Sequence, residues 1–140
     1  MELIIHPTVK IKEPVNLYGC TLDENVFVGP FVEIQKDVYI GRNTRIQSHS
    51  FICSQTTIGS NCFIGHGVMF VNDKFTGKKL NPNELLETII GNNVLIGSNA
   101  TILPVRICDN VVIGAGSVVT KSITFPGVYA GNPAKLLYNE

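Results

Sequence analysis

Val28-Gly29-Pro30-Phe31-Val32-Glu33-Ile34-Gln35-Lys36-Asp37-Val38-Tyr39-Ile40-Gly41-Arg42-Asn43-Thr44-Arg45-Ile46 sets an aliphatic residue at every sixth position, and a small or β-branched one (Val32, Val38, Thr44) four places after each. Downstream the spacing continues through Ile52, Ile58, Ile64 and Phe70, with Ser50 and Thr56 in the second set. Upstream the register begins near Ile5 and Ile11 and slips between Pro14 and Cys20. It resumes at Ile90, Ile96, Ile102, Ile107, Ile113 and Val119, joined by Val94, Ala100 and Ser117. Glycine often follows the aliphatic residue, as at Gly41, Gly59, Gly65, Gly97 and Gly114. A period of six matches no helix. It matches short parallel strands joined by tight turns, stacked so that each apolar residue lands on the one a coil below. Three steps close one triangular coil of about 18 residues, so residues 18 apart sit one above another. The expected fold is all-β: a parallel β-helix around a narrow apolar core.

The composition agrees with a single domain over residues 1–140: 44% hydrophobic, 16% charged and a formal net charge of zero. Zero net charge steers the chain toward neither nucleic acid nor an anionic membrane. No apolar run approaches the roughly 18 residues of a membrane span. The start, Met1-Glu2-Leu3-Ile4-Ile5, has no basic region and no cleavage pattern, so a soluble cytoplasmic protein is expected. Cys20, Cys53, Cys62 and Cys108 show no Cys-x-x-Cys spacing and fall inside the repeat, where they read as reduced core or turn residues.

The repeat breaks in three places. Residues 71–88 carry no six-fold pattern but hold Asn72, Asp73, Gly77, Lys78, Lys79, Asn81, Pro82 and Asn83. A solenoid extrudes such an insertion at a corner, and loops of that length are commonly functional. The step from Ile102 to Ile107 is one residue short. Residues 124–140 leave the pattern, with turns at Pro126-Gly127 and Asn132-Pro133, and are expected to cap the last coil.

Together with the repeats, Ile113-Gly114-Ala115-Gly116-Ser117-Val118-Val119 and Gly131-Asn132-Pro133-Ala134-Lys135 resemble the hexapeptide-repeat acyltransferases over nearly the whole chain. That resemblance implies a left-handed β-helix, acetyl-CoA as co-substrate, and a homotrimer with active sites between neighbouring subunits. Within the group, Gln47-Ser48-His49-Ser50-Phe51-Ile52-Cys53 followed by Gly65-His66-Gly67-Val68-Met69-Phe70-Val71-Asn72-Asp73 is similar to nucleotide-sugar N-acetyltransferases. Phe31-Val32-Glu33-Ile34-Gln35 belongs to the same pattern. Those enzymes acetylate a 3-amino group on UDP- or dTDP-linked sugars for surface-polysaccharide (lipopolysaccharide) synthesis. The chain departs from them at Ser54, where relatives often carry an acidic residue, and at Leu103-Pro104-Val105-Arg106, which lacks the glycine that commonly follows Leu-Pro.

Amide formation from acetyl-CoA needs a neutral amine, a thioester carbonyl held beside it, donors for the oxyanion, and exclusion of water. His49 and His66 lie 17 apart on corresponding steps, so they are expected to share a corner beside Gly65, Gly67 and the insertion. Imidazole titrates near neutrality and suits a general base; each could equally orient substrate, leaving the proton to the CoA sulfur. Asn72 can accept from an amine and donate to a sugar hydroxyl. On the substrate side stand Glu33 (sugar or ammonium contact, or an exposed turn carboxylate), Gln47, Ser54 stacked under Asn72, and Asp73, read chiefly as a loop residue. For CoA the candidates are backbone amides of Gly97, Ser98, Ala115 and Ser117, with small residues leaving a pantetheine groove open. Lys121 and Lys135 would meet its phosphates.

Three other readings share this fold. An O-acetyltransferase or serine-type acetyltransferase would differ in the insertion. A zinc enzyme of the γ-carbonic-anhydrase type needs three converging histidines, whereas His6 lies in the first coil, far along the axis from His66. A non-catalytic scaffold stays compatible with the repeats alone. The glycines from Gly91 to Gly116 recur at turns with no helix after them, so they are not a dinucleotide loop.

Overall fold

In the computed structural model, which describes residues 2–78 and 86–139, eighteen short strands wind into a three-sided parallel β-solenoid, and no helix occurs among the described residues. Three sheets form its faces: face A from Ile4–Ile5 to Arg106–Ile107, face B starting at Lys10–Ile11, and face C from Asn16–Leu17 to Val118–Val119. Each coil contributes one strand to each face. Tyr39 lies over Thr21 and Thr57, and Phe51 over Glu33 and Met69, which is the 18-residue repeat written as strand register.

Alternation decides the core. In Phe63-Ile64 the first side chain points out and the second in, and the inward residues Ile40, Ile46, Ile52, Ile58, Ile64 and Phe70 are fully buried. Each buried Ile contributes about 1.5–3 kcal/mol. The second inward set sits at the corners: Val32, Val38, Thr44, Ser50, Thr56, Val94, Ala100 and Ser117, all buried. Buried hydroxyls need partners. Thr44 Oγ1 donates to Gly59 O (2.7 Å) and accepts from Cys62 N (3.1 Å); Ser50 Oγ does the same with Gly65 O (2.8 Å) and Val68 N (3.2 Å), so both stitch one coil to the next.

The A–B corner turns through a left-handed residue in nearly every coil: Asn25, Asn43, Asn61, Asn93 and Asn110, with φ between 57° and 62°. Asparagine tolerates that conformation better than most L residues. Stacking brings the amides together, with Asn25 Nδ2 donating to Asn43 Oδ1 (3.3 Å) and Asn43 Nδ2 to Asn61 Oδ1 (3.1 Å).

The irregular steps appear where the spacing placed them. The five-residue step from Leu17 to Leu22 sets Ile4 over Thr21, and the short step to Ile107 sets Ile89 over Arg106. The insertion leaves face C after Phe70 and re-enters face A at Thr88, so that Met69 pairs with Thr101 and Thr56 with Thr88. Its residues 79–85 lie outside the described residues. The tail does more than cap. Ile123 bridges to Ile107, and Gly127–Gly131 adds a parallel seventh rung to face B before Ala134–Tyr138 turns back antiparallel. Among the described residues no helix is long and apolar enough to cross a membrane. The four cysteines carry free thiols, three buried and Cys108 half-buried.

Candidate active site

The B–C corner gathers most of the candidate residues along one edge of the solenoid. Each coil crosses it in four residues: Gly29-Pro30-Phe31-Val32, Gln47-Ser48-His49-Ser50, Gly65-His66-Gly67-Val68, Gly97-Ser98-Asn99-Ala100 and Gly114-Ala115-Gly116-Ser117. Backbone bonds fix the columns. Gly67 N donates to Ser48 O, Asn99 N to His66 O, and Gly116 N to Ser98 O, each at 2.8–2.9 Å. Pro30, Ser48, His66, Ser98 and Ala115 therefore form one column; Phe31, His49, Gly67, Asn99 and Gly116, all with positive φ, form the next.

The two histidines share this corner without standing one above the other. Seventeen residues is one short of a coil, so His49 and His66 share the corner but occupy neighbouring columns. The partner of His66 is Ser48, whose Oγ lies 2.9 Å from Nδ1. The partner of His49 is Phe31, with ring centroids 5.0 Å apart and planes 29° from parallel. Both are legible by counting back 18 from each histidine. Asn99 is a further residue of the edge, its Oδ1 filling the space a side chain at position 67 would need.

The insertion starts at a different corner from the histidines. It leaves from the C–A corner, at the far end of face C, and His66 and Asn72 are separated by six residues of mostly extended chain, roughly 15–20 Å. Asn72 is half-buried at the loop start, and Asp73 Oδ1 accepts from Phe75 N at 2.7 Å, which closes the first turn of the loop. Ser54 occupies the same corner but turns away from Asn72, its N and Oγ both donating to Gln35 Oε1 (3.0 and 3.4 Å). Lys121 is exposed at this corner too, away from the other proposed CoA residues. A groove of about 250 Å³ opens at the base of the loop between Lys74, Glu87, Pro104 and Arg106.

Glu33 sits on a strand rather than a turn, on the outer surface of face C, where Tyr18 Oη donates to its Oε2 at 3.2 Å. Gln47 is half-buried at the B–C corner. The amides proposed for CoA are partly committed: Gly97 N donates to Ile113 O (2.8 Å) and Ser117 N to Gly114 O (3.4 Å). Ser117 Oγ in turn accepts from Gly131 N at 3.1 Å and anchors the tail to this edge. The glycine at 97 answers to the neighbouring coil, since a Cβ there would stand 2.5 Å from Ala115 N. Ser98 is half-buried, its Oγ accepting from His66 N at 3.1 Å, and Ala115 is exposed; Lys135, opposite Ala130 in the returning strand, is exposed too. His6 belongs to the A–B corner, its Nδ1 2.9 Å from Thr8 Oγ1.

Comparison with known proteins identifies the repeats. Residues 19–54 match the family described as bacterial transferase hexapeptide (six repeats), and residues 55–69 and 87–121 match the hexapeptide repeat of succinyl-transferase. The bifunctional protein GlmU of Streptococcus uberis is 36% identical over 120 residues, 85% of this chain and 24% of GlmU. The galactoside O-acetyltransferase of Escherichia coli is 57% identical over 49 residues, 34% of this chain and 24% of that enzyme. The chain thus spans about a quarter of the length of these curated relatives. Among solved structures, a mutant of AntD, an N-acyltransferase from Bacillus cereus in complex with dTDP-4-amino-4,6-dideoxyglucose and coenzyme A, superposes with a TM-score of 0.87 over 99% of this chain and 83% of AntD at 19% identity, a likeness of fold.

Proposed function

The chain belongs to the hexapeptide-repeat transferase family, and from that premise we propose that it is a cytoplasmic, homotrimeric, acetyl-CoA-dependent N-acetyltransferase acting on the amino group of a UDP- or dTDP-linked sugar. The observation that carries this reading is the single edge on which Ser48 and His66 stand directly above Ser98 and Ala115, with His49 in the column beside them. One coil is about 4.8 Å high. The acetyl carbonyl, held by CoA lying along the last two coils, then reaches the histidine level without leaving the edge.

In this mechanism the neutral sugar amine attacks the thioester carbonyl carbon, the C–S bond breaks as the amide forms, and the amine's proton passes to His66 or to the departing CoA sulfur. A hydrogen bond from Nδ1 to Ser48 would leave Nε2 of His66 free to accept. His49 orients the acceptor beside it. Ser98 and Ala115 meet pantetheine, Gly97 and Ser117 hold the coils that form its track, and Lys135 and Lys121 face its phosphates. Glu33, Gln47, Ser54, Asn72 and Asp73 serve the acceptor side. The start of the loop and the histidine edge lie at opposite ends of face C in one chain, so a site using both draws Asn72, Asp73, Ser54 and Lys121 from a neighbouring subunit.

Thiol release from acetyl-CoA, measured against a panel of UDP- and dTDP-linked amino sugars, tests the reading. Turnover with one of them, abolished by His66→Ala, is expected. Acetyl-CoA binding without turnover on any amine sinks the amino-sugar acceptor. The local identity with galactoside O-acetyltransferase supports a second reading, transfer to a sugar hydroxyl. An ester product is cleaved by hydroxylamine and an amide is not, so the product separates the two.

A further inference from the structure

Phe31 is held in a left-handed conformation (φ 62°) that costs a bulky residue strain, and its ring is 58% exposed. The other residues of its column are His49, Gly67, Asn99 and Gly116, types that accept this conformation readily. Neither backbone ease nor core packing explains a phenylalanine there. Its ring stacks on His49 below and borders a groove of about 350 Å³ lined by Pro14, Asn16, Val32 and Glu33. The groove is mostly apolar, with a carboxylate oriented by Tyr18 and an amide at its edge. That combination of one flat apolar surface and two polar groups fits a planar heterocycle that stacks by its face and is read at its rim.

We propose that Phe31, stacked on His49, is the platform for the nucleobase of the acceptor, with Glu33 and Asn16 reading the base edge. This rests on the nucleotide-sugar reading above and adds its base subsite. A carboxylate accepts and does not donate, and an amide does both. Glu33 therefore receives a ring N–H while Asn16 donates to an adjacent carbonyl, an edge that uracil and thymine carry. Position along the axis agrees: Phe31 stands two coils from His66, about 10 Å, a separation spanned by the ribose and diphosphate between base and sugar. The adenine of CoA is a second source of a stacking base. The CoA candidates Ser98 and Ala115 lie at the opposite end of the edge, so position along the axis separates the two bases.

The chain contains no tryptophan, so Phe31→Trp installs one fluorophore at the platform. Titration with UDP, dTDP, GDP and ADP should quench it most strongly with UDP or dTDP. Calorimetry on the unmodified protein and on Phe31→Gly completes the test, because glycine suits φ 62° and keeps the fold. UDP or dTDP affinity should fall roughly tenfold to a hundredfold in Phe31→Gly, with acetyl-CoA affinity and assembly size unchanged and thermal stability equal or higher. Equal nucleotide affinity in the two proteins overturns the platform while leaving the nucleotide-sugar acceptor standing. Loss of the assembly in Phe31→Gly makes Phe31 an interface residue and overturns it as well. A wild-type protein that binds acetyl-CoA but none of the nucleotides removes both the platform and the nucleotide-linked acceptor. Quenching by ADP and CoA alone reassigns the ring to the cofactor.

Discussion

Ser48 Oγ and His66 Nδ1 meet at 2.9 Å across one turn of the solenoid, because the two residues are 18 apart at a corner whose period is 18. The bond sets the direction of an exposed imidazole. Ser48→Ala is expected to lower kcat about three- to tenfold with the acceptor KM nearly constant, while His66→Ala loses the roughly 10²–10⁴ attributed to a general base. Steady-state thiol release measures both. Wild-type kinetics in Ser48→Ala would show that the serine does not position the ring.

The asparagine column on the opposite corner is a stability device. Asn43 has φ 61°, donates to Asn61 and accepts from Asn25. Asn43→Ala loses both amide bonds and puts a Cβ without local hydrogen bonding in the left-handed region, an expected cost of about 1–3 kcal/mol. Asn43→Gly keeps the turn and loses only the ladder, so its cost should be smaller. Urea unfolding of the pair separates backbone from side chain; equal losses would assign the whole effect to the ladder.

Two glycines of the B–C corner should respond in opposite ways. A Cβ at Gly97 would lie 2.5 Å from Ala115 N and 2.7 Å from its Cα, so Gly97→Ala must push two coils apart, an expected loss of about 1–3 kcal/mol or more. Gly116 has φ 70° and open space around it, so Gly116→Asn should change stability by less than about 0.5 kcal/mol. Thermal melts of both variants check the contrast.

Burial pushes the Cys20 thiol up to about 11, and raises Cys53 and Cys62 as well. The folded chain then retains thiol protons that the unfolded chain has released. The associated stability is complete below about pH 9, the thiol's ordinary value, and is lost as pH climbs toward 11. The urea midpoint should fall over that window, and fall less in Cys20→Ala. A flat midpoint from pH 9 to 11 would contradict the burial.

The fold was legible because one periodicity wrote it twice. Ile40, Ile58 and Ile90 mark the inward strand position, and Val38, Thr56 and Thr88 the corner position, so spacing alone predicted which side chains are buried. The break at Phe70 and the short step at Ile102 were equally visible as miscounts of six. Residue counting failed where one position mattered. His49 and His66 differ by 17, and that single residue moves each to a different column with a different partner. Chain adjacency misled in the same way at Asn72: it follows His66 closely in sequence but lies across the width of face C.

Periodic burial along the chain, by itself, determined a parallel β-solenoid with an extruded loop, since apolar surface has to leave water every third of a coil. Only the tertiary structure decided which neighbours each exposed side chain meets. Those meetings, Ser48 with His66, Phe31 with His49 and Gln35 with Ser54, cross from coil to coil at 2.9 to 5.0 Å. They depend on rotamer and on register to a single residue, which a hydrophobic repeat tolerates and does not encode.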